Sequence, residues 1–151
     1  MQRILLNGLS QIELEGIGSR LSAVLFPGAF IALFGGLGAG KTTFTRAVAQ
    51  GLDIYDIQSP TFTIVREHEG KLVLFHFDAY RLADSDELFA IGFDDYLARN
   101  AVIILEWSEN VTQALPHERL DIAISGSGSI PRNVEITAHG LIYEDILEVL
   151  S

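Results

Sequence analysis

Gly35-Gly36-Leu37-Gly38-Ala39-Gly40-Lys41-Thr42 sets a glycine, four residues, and then Gly-Lys-Thr. That spacing is the phosphate-cradling P-loop pattern, matched at every required position. Its glycines permit positive φ and keep side chains out of the way, so successive backbone N–H groups can converge on phosphate oxygens. A helix starting near Lys41 adds the partial positive charge of its N-terminus. In such a loop Lys41 reaches the β- and γ-phosphates, the Thr42 hydroxyl ligates Mg²⁺, and Thr43 is placed to touch the α-phosphate. The spacing predicts binding of ATP with magnesium.

A P-loop site needs a carboxylate at the end of a neighbouring strand to hold the metal or its water shell. Two apolar runs end in acids: Val102-Ile103-Ile104-Leu105-Glu106 and Leu72-Val73-Leu74-Phe75-His76-Phe77-Asp78. Glu106 is the favoured metal carboxylate, and Asp78 the group on the γ-phosphate side that orients the attacking water. The reverse assignment stays open. Ser59-Pro60-Thr61-Phe62 follows the P-loop helix where a first switch stands in such proteins, and Thr61 there could sense the γ-phosphate and the metal. His76 reads as a packed or hydrogen-bonded strand residue, since no second histidine stands at metal spacing.

The surrounding elements suit this site. An apolar run, 29–34, enters the loop as a strand covered on both faces, and a helix over 42–50 leaves it, stopped by Gly51. Upstream, Ser10-Gln11-Ile12-Glu13 is a capping box opening an amphipathic helix that Pro27-Gly28 ends. Downstream, strands over 62–68 and 71–77 form a hairpin turning at Glu69-Gly70. Asp84 with Glu87 starts another helix and Gly92 stops it. A short segment over 94–99 leads into the apolar strand 101–105. Strands over 119–125 and 133–138 and a helix from about Tyr143 follow. Strands interleaved with helices predict an α/β fold: a P-loop NTPase fold with a mixed central sheet, helices on both faces, and one ATPase domain over 1–151.

Composition narrows the partners. The chain has 151 residues, 20 acids and 10 bases, for a net charge of −10. Two lysines and eight arginines cannot build a broad basic surface, which disfavours nucleic acid as a direct ligand. Any work on RNA is expected to run through a partner protein. No cysteine is present, so disulfides and thiolate metal sites are excluded. No apolar run is long enough to span a bilayer, and Met1 to Asn7 is too short and weakly charged for a signal peptide. A soluble cytoplasmic protein is expected.

The ordered set Gly-Leu-Gly-Ala-Gly-Lys-Thr-Thr (36–43), Ser-Pro-Thr-Phe-Thr (59–63), His-Phe-Asp-Ala-Tyr-Arg-Leu (76–82), Glu-Leu (87–88) and Glu-Trp-Ser-Glu (106–109) resembles the TsaE (YjeE) family of bacterial ATPases. The likeness runs from about position 10 to 138. It implies an ATPase that serves threonylcarbamoyladenosine (t6A) synthesis in tRNA with a TsaB–TsaD complex, tRNA being reached only through that complex. It also implies nucleotide and metal roles for Lys41, Thr42, Asp78 and Glu106. It further places Trp107 near the nucleotide and carries a late arginine onto Arg132. Two positions depart from the family pattern: Gly36 replaces the usual Asp, and Pro131 replaces the Gly that precedes the late Arg.

Other readings differ in what they require. A GTPase needs an Asn-Lys-x-Asp base motif, and Lys71, the one lysine outside the loop, follows Gly70. A small-molecule kinase needs lid arginines on the transferred phosphate, whereas these arginines are dispersed. A non-catalytic nucleotide-binding module would show no ATP turnover with any partner.

Overall fold

The structure, a computed structural model, describes residues 2–58 and 63–151. The chain runs through β1 (Gln2–Leu9), α1 (Gln11–Ser22), β2 (Phe30–Phe34), α2 (Lys41–Gly51), β3 (Val65–Glu69) and β4 (Val73–Asp78). Then come α3 (Ser85–Ala90), α4 (Phe93–Ala98), β5 (Val102–Glu106), β6 (Arg119–Ser125), β7 (Arg132–His139) and α5 (Leu141–Leu150). Two single 3₁₀ turns, Ser108–Asn110 and Thr112–Ala114, follow β5.

The seven strands form one sheet in the order β1-β7-β6-β2-β5-β4-β3. Its centre, β6-β2-β5-β4, is parallel, and antiparallel pairs close both sides. The mixed α/β sheet expected from sequence is thus observed. Alternation along each strand splits its side chains between two cores. Ile31, Leu33, Ile104 and Ile122 face α1, α2 and α5, while Phe30, Phe75, Phe77 and Leu105 face α3 and α4. Because β2 and β5 are buried on both faces, they read in the sequence as unbroken apolar runs.

The capping box at Ser10 is formed: its hydroxyl accepts from Glu13 N–H, and the Glu13 carboxylate accepts from Ser10 N–H, each at 3.1 Å. Close packing of α1 on α2 depends on Gly18, where a Cβ would stand 2.9 Å from the Ala47 Cβ. Helix α1 therefore holds the P-loop helix in place. Helix α5 begins two residues before the expected Tyr143. Strand β1, which the sequence reading left without structure, is an edge strand paired to β7 across most of the chain. Among the described residues no helix is long and apolar enough to cross a membrane.

Candidate functional site

The P-loop connects the end of β2 to α2. Gly35 has φ +150° and an added Cβ would lie 2.5 Å from the Ile124 carbonyl oxygen, so no other residue fits there. Gly40 is the N-cap of α2 at φ +107°, and no side chain caps the helix. Helices α1 and α3, by contrast, are capped by Ser10 and Asp84. The open first turn of α2 leaves backbone donors for an anion, as expected of a phosphate cradle.

Lys41 is buried. Its ammonium donates to the carbonyls of Gly35 and, at 2.9 Å, of Gly36, and lies 3.9 Å from the centre of the Trp107 ring. Burial lowers its pKa, while the carboxylates of Glu109, Glu106 and Asp78 act to raise it. Trp107 itself has φ +61°, an uncommon conformation for so large a residue. It also packs on Tyr80, with ring centres 4.9 Å apart.

The two carboxylates meet by register. Strands β4 and β5 are parallel neighbours, and Asp78 pairs directly with Glu106 at their carboxyl ends. Glu106 is only 2 % exposed, and the Thr42 hydroxyl donates to its Oε1 at 3.2 Å. Asp78 accepts from Tyr80 N–H at 2.8 Å. Burial pushes the Asp78 pKa up, and Glu106 adds to the rise against the opposing pull of the Tyr80 N–H, His76 and Lys41. Among the described residues no cluster of three or more His, Cys, Asp or Glu stands at metal spacing. The all-oxygen set of Thr42 and Glu106 nevertheless suits Mg²⁺, which keeps several waters and takes few protein ligands beside phosphates.

Two cavities of about 360 Å³ adjoin the loop. One is lined by Leu37 to Thr43 with Asp78, Tyr80, Glu106, Trp107 and Arg132. The other lies between the start of α1 and the β6–β7 loop, lined by Leu9, Ser10, Gln11, Leu14 and residues 128–131. Gly40, Thr43 and Arg132 line both. The Arg132 guanidinium donates to the carbonyls of Ala39 (2.9 Å), Gly38 (3.1 Å), Gly128 (3.2 Å) and Ile130. It ties the β6–β7 loop to the P-loop. At Gly36 a Cβ would meet nothing within 4 Å, so the departure from Asp leaves open space.

The structure therefore brings together Gly35, Gly36, Leu37, Gly38, Ala39, Gly40, Lys41, Thr42, Thr43, Asp78, Glu106, Trp107 and Arg132; Thr61 lies outside the described residues. Sequence reasoning missed three contributors, Tyr80, Glu109 and Thr45, whereas His76 is the hydrogen-bonded strand residue that the sequence suggests. Tyr80 and Glu109 sit inside motifs that had been singled out, but no role was attached to either. The Glu109 carboxylate accepts from Gly35 N–H at 3.0 Å. Thr45 and His76 both reach Glu106. Thr45 sits one helical turn beyond Lys41, on the same face of α2, and that spacing is the one signal that could have found it.

Comparison with known proteins follows the same line. The family model "Threonylcarbamoyl adenosine biosynthesis protein TsaE" matches residues 9–134. A Bacillus subtilis protein named tRNA threonylcarbamoyladenosine biosynthesis protein TsaE is 43 % identical over 141 residues, covering 92 % of this chain and 88 % of its own. One of the same name from Treponema pallidum is 38 % identical over 108 residues, covering 71 % and 80 %. The crystal structure of Bacillus subtilis YdiB superposes with a TM-score of 0.82 at 35 % identity, covering 99 % of this chain and 94 % of that one. With the uncapped loop and its two strand-end carboxylates in place, this chain has the P-loop NTPase fold and belongs to the TsaE family.

Proposed function

We propose that this chain is a magnesium-dependent ATPase, acting as one cytoplasmic P-loop domain in t6A modification of tRNA beside a TsaB–TsaD type protein pair. The observation that carries the reading is the in-register pair Asp78 and Glu106 facing the P-loop, with Thr42 donating to Glu106 at 3.2 Å. A simple phosphate-binding loop would need no carboxylates there. Thr42 and Glu106 hold the metal in this reading. Magnesium, when bound, supplies positive charge that neutralises the phosphates.

The chain's own groups divide the work. Lys41 exchanges its carbonyl partners and the Trp107 face for the β- and γ-phosphates. Backbone N–H groups at the start of α2 receive phosphate oxygens. Thr43, which borders both cavities, bridges between them at the α-phosphate, so the nucleoside falls in the cavity beside Ser10 and Gln11. Asp78 orients the attacking water.

The cationic side chains lining the phosphate cavity, among the described residues, are Lys41 and Arg132. Arg132 is committed to four carbonyls. That leaves one ammonium for a transition state that fast enzymes meet with an added arginine. It favours slow turnover alone and stimulation in trans, and it disfavours a kinase with lid arginines. Leu37, Tyr80 and Ile130, exposed around the two cavities, suit a mouth that a partner protein covers. Phosphate release should be measured for the isolated protein, for the matching TsaB–TsaD pair, and for the mixture. Stimulation in the mixture that disappears in Glu106→Gln supports the reading. No turnover in any mixture sinks the ATPase in favour of a binding module.

A further inference from the structure

We infer that His76 is a positioning residue for Glu106: its imidazole occupies one carboxylate oxygen so that the other is presented to the metal side of the P-loop. The inference rests on the reading of Glu106 as the metal carboxylate and adds a residue that this reading did not contain.

His76 lies in the middle of β4, two residues before Asp78, and points to the same face of the sheet. It is fully buried, and its Nε2 stands 2.5 Å from Glu106 Oε2. A carboxylate only accepts, so Nε2 carries the hydrogen. The Thr45 hydroxyl is also near that oxygen, at 3.4 Å, but it has one hydrogen and a closer acceptor, the Lys41 carbonyl at 2.9 Å. His76 is therefore the principal donor to Oε2. On the other oxygen, Oε1, stands Thr42, the residue whose hydroxyl belongs to the metal in a P-loop. The carboxylate is thus divided, with one oxygen held from below by the sheet and one facing the loop.

The other ring nitrogen makes the case against a simple packing role. Among the described residues, the buried His76 Nδ1 has no hydrogen-bond partner. An unpartnered buried polar atom costs stability, and an apolar side chain between Phe75 and Phe77 would avoid the cost. What the imidazole supplies in return is a rigid, charge-assisted hydrogen bond to a carboxylate that would otherwise be nearly desolvated on that side. Groups that fix a metal-binding side chain in this way are worth about 10- to 100-fold in metal affinity.

The test measures ADP affinity by calorimetry in EDTA and in excess MgCl₂, and takes the ratio as the magnesium coupling. Melting curves are recorded for every variant. Wild type is expected to couple, and Glu106→Gln to lose the coupling. His76→Leu should cut the coupling about tenfold or more while its affinity in EDTA stays at the wild-type value. His76→Gln, which returns an N–H donor to the Nε2 place, should restore most of it. His76→Asn, whose amide falls short at the Nδ1 place, should not. Should His76→Leu fail to fold, the Gln and Asn pair decides by itself. Loss in Glu106→Gln with wild-type coupling in His76→Leu overturns the inference and leaves Glu106 as the metal carboxylate. Full coupling in Glu106→Gln overturns the Glu106 reading and the role of His76 with it. Equal coupling in His76→Gln and His76→Asn assigns the histidine to packing alone.

Discussion

Lys41 is held against the cost of its own burial. Desolvation draws its pKa below the ordinary lysine value, and the carboxylates of Glu109, Glu106 and Asp78 offset part of that pull. A buried ammonium resting on backbone carbonyls contributes little to the core. Lys41→Ala should therefore keep the fold and its melting temperature while ATP affinity, by calorimetry, drops roughly 10- to 100-fold, the worth of one or two charge-assisted hydrogen bonds. Undiminished affinity would remove the P-loop assignment. Asp78 gives a pH signature of the opposite kind. Burial raises its folded pKa above the ordinary 3.8, so the folded state holds its proton more tightly than the unfolded chain does. The stability it contributes is then fully present below 3.8 and is lost as pH rises through the elevated value. Asp78→Asn keeps the acceptor for Tyr80 N–H and has no charge to bury. In thermal melts the ligand-free variant should exceed wild type near pH 7, and the two should converge as the pH falls to 3.8. A difference independent of pH would mean that the Asp78 charge is not what burial opposes. Such a gain in stability alongside lost turnover is the usual exchange at a functional site.

The P-loop is an element whose glycines have unequal tasks. At Gly35 the backbone runs so close to β6 that a Cβ would meet the Ile124 carbonyl oxygen at 2.5 Å, and φ is +150°. Backbone cannot yield as a side-chain tip can. Gly35→Ala should cost about 1–3 kcal/mol of stability, as overpacking does, and should abolish nucleotide binding, because the loop must leave the strand end to admit the methyl. Gly36 has open space around it. Gly36→Asp, which brings back the residue usual in similar proteins, should fold with an unchanged urea midpoint and retain ATP binding. Reversal of that order in denaturation and calorimetry would show that the loop is held otherwise than by contact with β6. The Arg132 guanidinium matters at this same scale, since one side chain ties residues 128 and 130 to residues 38 and 39.

Across the whole molecule the charge balance decides what can dock. A net charge of −10 disfavours direct contact with tRNA, and Asp78, Glu106 and Glu109 all act on the Lys41 ammonium. A basic protein surface meets such a chain through complementary potentials, which chiefly raise the rate of encounter. We expect the TsaB–TsaD pair to accelerate ATP hydrolysis at low ionic strength, and that acceleration to weaken as salt screens charges beyond about 8 Å at 0.15 M. Phosphate release against NaCl concentration reads this directly. Stimulation indifferent to salt, or direct tRNA binding by the isolated chain at physiological salt, would contradict electrostatic docking on a protein partner.

Taken alone, the sequence determined whatever physics confines to a few neighbouring residues. The glycine spacing of 35–42, the capping box at Ser10 and Glu13, and the apolar runs of β2 and β5 each follow from local rules of turn, cap and burial. Their order along the chain was enough to identify the family. It also located Asp78 and Glu106 at strand ends, though not side by side. Only the tertiary structure decided that β4 and β5 are parallel neighbours in the register that pairs those acids, that His76 and Thr42 take opposite oxygens of Glu106, and that Arg132 is captured by P-loop carbonyls. It also decided that residues 2–9 are a strand, since an edge strand with one half-covered face has little periodicity until β7 arrives from the far end of the chain. The division has one cause. Backbone conformation is chosen over a span of about one turn, whereas register and partner choice are set by the simultaneous burial of two sheet faces, to which segments more than a hundred residues apart contribute together.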